Sequence, residues 1–160
     1  MKWFESMKRL GAMALAATLL AGDAFAASCL DIDMGDHRGV EGRGRNVIAW
    51  PDCHGKRNQL WRLEEGALKA DVNGITWCLD VNMAEPSGDK GQGRNVIAWP
   101  VCHGGENQRW FREGALLKTL IGGRPWCLDI NESERSGING EGRNVIAWPV
   151  CHGGNNQRWR

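Results

Sequence analysis

Five residue types recur in this chain at one fixed spacing, and together they could recognise a neutral polar ligand. Asp31, Asp80 and Asp129 are 49 residues apart. The same spacing relates Asn58, Asn107 and Asn156, then Gln59, Gln108 and Gln157, then Trp50, Trp99 and Trp148, then His54, His103 and His152. A carboxylate accepts hydrogen bonds, and an amide both donates and accepts. An indole offers a flat apolar plate with one polar handle. Catalysis finds no such support. No Ser, His and Asp set sits in a Gly-x-Ser-x-Gly context. Each Cys has a partner in register, so none is left over as a nucleophile.

The segment that carries these residues organises the chain. Gly93-Arg-Asn-Val-Ile-Ala-Trp-Pro-Val-Cys-His-Gly-Gly105 is repeated letter for letter from Gly142 to Gly154. A diverged copy runs from Gly44 to Gly55. Asn-Gln-x-Trp follows each time, ending at Trp61, Trp110 and Trp159. A constant period of this size sets the architecture before any local propensity does. The repeats are 29–77, 78–126 and 127–160.

The start of the chain is expected to be a signal peptide, 1–26. Lys2, Lys8 and Arg9 form a basic front, and Gly11 to Ala21 is apolar but shorter than the about 20 residues a bilayer requires. Ala24-Phe-Ala26 supplies the small-x-small pattern for cleavage after Ala26. The protein is therefore expected to be secreted or periplasmic. Ala26-Ala-Ser-Cys29 loosely resembles a lipobox, but its Leu is missing and Cys29 is in register with Cys78 and Cys127. A pairing role for Cys29 is preferred to a lipid anchor.

With the leader set aside, 20 basic and 19 acidic residues lose Lys2, Lys8, Arg9, Glu5 and Asp23 and become 17 and 17. A chain without net charge or a basic cluster has no field to draw it to nucleic acid or an anionic membrane. No membrane insertion is expected, and a neutral partner is. Six Cys in an exported chain imply disulfides. Each repeat has one early and one late Cys, 24 apart. The expected pairs are Cys29–Cys53, Cys78–Cys102 and Cys127–Cys151, each contributing about 3–4 kcal/mol on the chain-entropy account. Zinc is disfavoured, because oxidised Cys leave a single His ligand per repeat. Asp31, Asp33 and Asp36 could approach calcium in the first repeat only, with Gly35 where a ligand is wanted. No metal or cofactor is expected.

The elements that must position these groups read as short strands. Cys78-Leu-Asp-Val-Asn82 alternates, with Leu79 and Val81 on one face and Asp80 and Asn82 on the other. Asn95 to Trp99 is a second strand, stopped by Pro100. Gln108 to Arg112 and Ala115 to Leu120 are a third and fourth around a Glu113-Gly114 turn. Three such units point to a closed three-fold all-β structure in a single domain, 27–160. The third unit runs out after Gln157-Arg-Trp159, so eleven strands are expected and the last repeat reads as truncated. The seam is then open, or covered by a partner.

Cys-Leu-Asp, Asn-Val-Ile-Ala-Trp, Cys-His-Gly-Gly and Asn-Gln-x-Trp, in that order, resemble the ricin-type lectin family. The resemblance spans 27–160 in three copies. It implies a β-trefoil, carbohydrate binding of galactose type, and up to three shallow sites, one per repeat. Such domains occur as free lectins, toxin-delivery subunits and modules on glycosidases. Asp31, Asp80 and Asp129 would accept from sugar hydroxyls, with Asn58, Asn107 and Asn156 as the amides. Gln59, Gln108 and Gln157 belong to the site set, more as ties that orient the Asp or Asn. Trp61, Trp110 and Trp159 are assigned to the core, and Trp77 and Trp126 to packing. The His set is either a turn residue or a site rim.

One departure concerns the aromatic plate. The family usually places it two residues before the second Cys, where this chain has Pro51, Pro100 or Pro149. Trp50, Trp99 and Trp148 stand one step earlier, as platform or as core. The function expected is a secreted lectin. The alternative is a toxin-delivery or protein-interaction subunit without sugar binding. A hydrolase is disfavoured, because equivalent carboxylates in separate repeats lie too far apart for a pair that needs roughly 5–10 Å. Sites two and three are expected to be alike, and site one to differ at Asp33, Asp52, Lys56 and Leu60.

Overall fold

The computed structural model describes residues 28–160, so the expected leader and its cleavage site lie outside the described residues. Ten strands form, and no α-helix is present among the described residues. The first repeat gives β1 (Cys29–Arg38), β2 (Gly44–Trp50), β3 (Arg62–Glu64) and β4 (Ala67–Val72). The second gives β5 (Ile75–Ser87), β6 (Gly93–Trp99), β7 (Trp110–Glu113) and β8 (Leu116–Ile121). The third gives β9 (Arg124–Ser136) and β10 (Gly142–Trp148). The all-β β-trefoil architecture is as expected, but the count of eleven is not. β3 and β7 exist because β4 and β8 pair with them. Gln157 to Trp159 has no such partner, so it forms no ladder.

Long antiparallel pairs dominate: β1 with β2, β5 with β6, β9 with β10. Each carries an irregularity at the same place, between Asp33 and His37, Asn82 and Pro86, or Arg143 and Asn144 on the partner strand. β2, β6 and β10 also pair with one another, closing the sheet around a three-fold axis. These strands are near-continuous runs of Val, Ile and Ala because both of their faces are covered. Val47, Val96, Val145, Ala98 and Ala147 have no solvent exposure. They meet Leu79, Val81, Leu128, Trp77 and Trp110 in the core.

Where the three strands converge, three asparagines close a ring. Asn95 Nδ2 donates to Asn46 Oδ1 (3.1 Å), Asn144 Nδ2 to Asn95 Oδ1 (3.0 Å), and Asn46 Nδ2 to Asn144 Oδ1 (3.1 Å). All three are 1–3 % exposed. Within the ring each amide gives one bond and takes one, and Asn46 Nδ2 also donates to Ser136 Oγ at 3.2 Å, so no end of the ring is left unpaired.

The three disulfides form in the expected pairs, with Cα–Cα distances of 5.4 Å. Each ties the start of a long strand to the segment after the next one. The Trp assignments hold unevenly. Trp110 and Trp159 are buried, while Trp61 is half-buried against the core. All three donate Nε1–H to a carbonyl at the start of their own repeat, on Leu30, Leu79 or Leu128.

Asn95→Ala should strand the Asn46 Oδ1 and the Asn144 Nδ2 in the interior. A cost of about 1–3 kcal/mol per stranded group is expected, measured as a lowered urea midpoint under oxidising conditions. An unchanged midpoint would show that the ring does not hold the strands.

Candidate functional site

The long strands place the chemistry. In Cys78-Leu-Asp80 the Leu enters the core, so the Asp must face the other way, as expected. It is nevertheless buried: Asp31, Asp80 and Asp129 are 4–5 % exposed. The covering groups come from the segment that the disulfide brings across, since His103 follows Cys102 and Asn107 and Gln108 close the next turn.

The second repeat shows the arrangement. Asn107 Nδ2 donates to Asp80 Oδ1 at 2.7 Å and to the Val81 carbonyl at 3.4 Å. Gln108 Nε2 donates to Asp80 Oδ2 at 2.8 Å and to the Val101 carbonyl at 3.0 Å. Gln108 Oε1 accepts from the His103 and Gly104 amides. His103 Nε2 lies 3.3 Å from Asp80 Oδ2. The Gly105 amide donates to His103 Nδ1 at 3.0 Å. That bond makes Nδ1 an acceptor, so in the neutral ring the proton sits on Nε2 and points at the carboxylate. Repeats one and three reproduce these contacts through His54, Asn58 and Gln59, and His152, Asn156 and Gln157.

The lone pairs define what is left for a ligand. An ionised carboxylate has about four acceptor positions. Oδ2 of Asp80 takes Gln108 and His103, and Oδ1 takes Asn107 alone, so one position on Oδ1 stays open. Asn107 Oδ1 takes no hydrogen bond from the described residues. Two acceptors thus lie side by side, suited to a pair of hydroxyl donors. Gln108 and Gln157 are 1 % and 0 % exposed, with both ends of the amide engaged. They hold the carboxylate from inside the fold, and Gln59 makes the corresponding bonds.

The Trp question resolves into a third arrangement. Trp50, Trp99 and Trp148 are half-buried and lie outside the central core cluster. Each presses its benzo edge on two glycines of the preceding repeat, cyclically. A Cβ on Gly39 or Gly44 would stand 2.9 or 3.1 Å from Trp99, one on Gly88 or Gly93 2.8 or 3.0 Å from Trp148, and one on Gly137 or Gly142 2.9 or 3.1 Å from Trp50. In the third repeat Trp148 lines a cleft of about 780 Å³ with Asp129, Asn131, His152 and Asn156. The opposite wall of that cleft is Pro86 to Lys90, from repeat two. Each indole is therefore a joint between repeats, and Trp148 also lines the cleft of its own repeat.

Sequence reasoning left the His set open between a turn and a site rim, although its period of 49 was visible. It missed Glu85 and Glu134, which accept from Arg38 and Ser87 of the preceding repeat. It also missed the wall contributed by that repeat. Among the described residues no group of three or more His, Cys, Asp or Glu is placed to hold a metal ion.

Burial raises the carboxyls of Asp31, Asp80 and Asp129 above their ordinary value of 3.8, against the bonds from Gln and Asn and the pull of His. A protonated carboxyl loses acceptor capacity, so ligand affinity should fall as pH drops through that raised value. Titrating affinity from about pH 7 to about pH 3 should give a midpoint above 3.8; a midpoint at or below it would remove burial as the cause. Gly105 makes a separate point. A Cβ there would lie 2.9 Å from Asn107 Oδ1 and 3.0 Å from the His103 ring. Repeat one carries Lys56 at the equivalent place and folds. Gly105→Ala should therefore weaken binding at site two about tenfold, an estimate from the loss of one good hydrogen bond, with thermal stability nearly unchanged.

Comparison with known proteins fits this geometry. The family model described as "Ricin-type beta-trefoil lectin domain" matches residues 17–159. No curated protein sequence matches the chain. Among solved structures, the designed three-fold symmetric protein ThreeFoil is 30 % identical with a TM-score of 0.57, over 85 % of this chain and 91 % of that one. The Vibrio vulnificus hemolysin/cytolysin β-trefoil lectin, with N-acetyl-D-lactosamine bound, is 25 % identical with a TM-score of 0.56, over 84 % and 85 %. The earthworm R-type lectin C-half in complex with GalNAc is 22 % identical with a TM-score of 0.54, over 84 % and 88 %, a likeness of fold.

Proposed function

The chain belongs to the ricin-type β-trefoil lectin domain family, and from that premise we propose that it is a secreted, non-catalytic lectin with one glycan site per repeat. The observation that carries this reading is the recurrent pair of open acceptors, Asp Oδ1 beside Asn Oδ1, next to a Trp wall. Vicinal sugar hydroxyls would donate to the pair, and the apolar face of the ring would lie on the indole. Gln and His do not touch the sugar in this scheme. They hold the carboxylate in one orientation before ligand arrives, which lowers the ordering cost of binding.

A shallow single site gives a dissociation constant of about 1 mM, or about 4 kcal/mol. Three sites on a rigid body gain orders of magnitude on a multivalent surface, provided the spacing lets them engage together. The three disulfides fit an oxidising compartment. The lectin with bound N-acetyl-D-lactosamine makes β-galactosides the first ligands to try.

One feature favours a second reading. A groove of about 380 Å³ is lined by Leu30, Trp61, Leu63, Leu117, Ile130 and Trp159. Trp110 and Trp159 donate their backbone N–H to Gly66 and Ala115 of the preceding repeat's hairpin, while the Trp61 N–H reaches only the Gln59 carbonyl at 3.2 Å. An apolar groove of this kind suits an interaction subunit that docks on another polypeptide.

A glycan array decides between them. The oxidised parent should bind β-galactosides. Asp31→Ala, Asp80→Ala and Asp129→Ala together should abolish that signal in a protein that still melts cooperatively. Binding that survives the triple substitution would place the sites elsewhere. A folded parent that binds no glycan would shift the function to the groove.

A further inference from the structure

Two of the three long strand pairs are flanked by a hairpin. β4 pairs with the start of β5, Lys69 opposite Cys78, and β8 pairs with the start of β9, Lys118 opposite Cys127. The start of β1 is the third such edge. Cys29 pairs with Trp50 on one side. Among the described residues no strand stands on its other side.

The same hairpins cover the tryptophans that end each Asn-Gln-x-Trp run. The Trp110 N–H donates to the Gly66 carbonyl at 2.7 Å, and the Trp159 N–H to the Ala115 carbonyl at 2.8 Å. The Trp61 N–H turns back on Gln59 of its own segment. Leu68 and Leu117 stand two residues beyond those carbonyls and are buried, and Trp110 and Trp159 are 1 and 5 % exposed. Trp61 stays half-buried. So does Ile130, although its equivalents Ile32 and Val81 are 1 and 0 % exposed. Trp61 and Ile130 both line the groove of about 380 Å³, and Cys29 is at its margin. A one-sided strand edge, an N–H held only by its own turn and two half-covered apolar side chains thus coincide.

The charge on this groove has one sign. Arg112, Arg158 and Arg160 line it, and no Asp or Glu does. Arg112 Nη1 donates to the Trp159 carbonyl at 2.8 Å, and Arg158 Nε to the Gly153 carbonyl at 3.0 Å. Among the described residues none of the three forms an ion pair. A guanidinium has five donors, so most of theirs remain for carboxylates.

We propose that the groove binds an acidic β-hairpin presented by a partner polypeptide, which completes the three-fold pattern in trans. This rests on the interaction-subunit reading above and names the partner's chemistry. One strand of the hairpin adds to the start of β1, and a carbonyl at its turn takes the Trp61 N–H. A Leu two residues further on covers Trp61 and Ile130, and carboxylates at the turn meet the arginines. Strand addition supplies affinity and the side chains choose the partner. None of the Asp and Asn acceptors assigned to sugar lines this groove, so glycan and hairpin do not compete for them.

The probe is the chain's own first hairpin, residues 62–72, which carries Glu64 and Glu65 at its turn and Leu68 beyond it. It is cyclised, because an isolated two-stranded hairpin is marginal in water. In the oxidised protein without peptide, the Trp61 amide should exchange faster than those of Trp110 and Trp159. At saturating peptide it should slow about tenfold, as one good hydrogen bond gives. In the protein, Leu63→Asp, at an exposed position in the groove, should abolish that protection in a chain that still melts cooperatively. Arg160→Glu should weaken binding, and a peptide carrying Glu64→Lys and Glu65→Lys should recover it, which tests the charge match even if the Leu63 variant fails to fold. A cyclic peptide of the same composition in scrambled order that protects Trp61 equally would overturn the hairpin inference and leave the interaction reading in place. With neither peptide protecting Trp61, both fall. A Trp61 amide already slow in the peptide-free monomer would show that the chain covers its own groove, and protection that grows with protein concentration alongside a sedimenting dimer would make a second copy the occupant; either result overturns the proposal.

Discussion

Three identical strands have to meet at an axis without leaving a polar group stranded, and the ring of Asn46, Asn95 and Asn144 meets that constraint. An asparagine amide has a donor and an acceptor on one planar group, so three can close head to tail. Serine could do so only at shorter reach, and a charged residue would repel its own copies. The ring fixes which residue of each strand lies on the axis. A side-chain period of two then decides the rest: Val47 and Ala49 enter the core, while Ile48 and Trp50 point to the neighbouring repeat. A slip by one residue would exchange these sets. The site therefore depends on a contact that it does not touch.

Within each repeat the burial of a carboxylate is the expensive step. An isolated buried charge is untenable, and here two amides and an imidazole surround it. The disulfide makes that enclosure local, since Asp80 lies two residues from Cys78 and His103 directly follows Cys102. Gln108 is itself held by backbone groups at both ends. The carboxylate thus has one orientation, and its remaining lone pair has one direction. On the proposed lectin reading, weak, shallow sites would gain from this rigidity because little order is left to impose when ligand arrives.

Much of this was legible in the sequence, for definite reasons. The constant spacing of Cys29, Cys78 and Cys127 implied the pairing, because only one partner per repeat kept the register. Alternation in Leu79-Asp80-Val81 separated core from site. The amphipathic indoles were not legible. Trp99 has no single environment, since its edge lies on Gly39 and Gly44 of another repeat, and single-repeat reasoning offers only core or surface. The histidines escaped for a similar reason: a turn role and a site role are the same role once Nδ1 takes the Gly105 amide. The eleventh strand failed because a strand is a property of a pair, and Gln157 to Trp159 has none. Sites two and three were expected to be alike; their own inner segments are identical, but the glycine turns that meet their indoles come from the preceding repeat and differ in sequence.

The glycine–indole joints have a consequence for how such a chain arises. Each repeat presents a Trp edge on one side and a flat glycine turn on the other, and the two surfaces fit each other rather than themselves. Free copies of one repeat would therefore associate head to tail, and the ring closes at three. The unit that duplicates and the unit that binds are offset: one ends where a repeat ends, the other straddles the joint. On the proposed reading, substitutions in a single repeat alter the floor of one site and the joint beside the next, so tandem copies would diverge in ligand preference without losing the shape that holds them together.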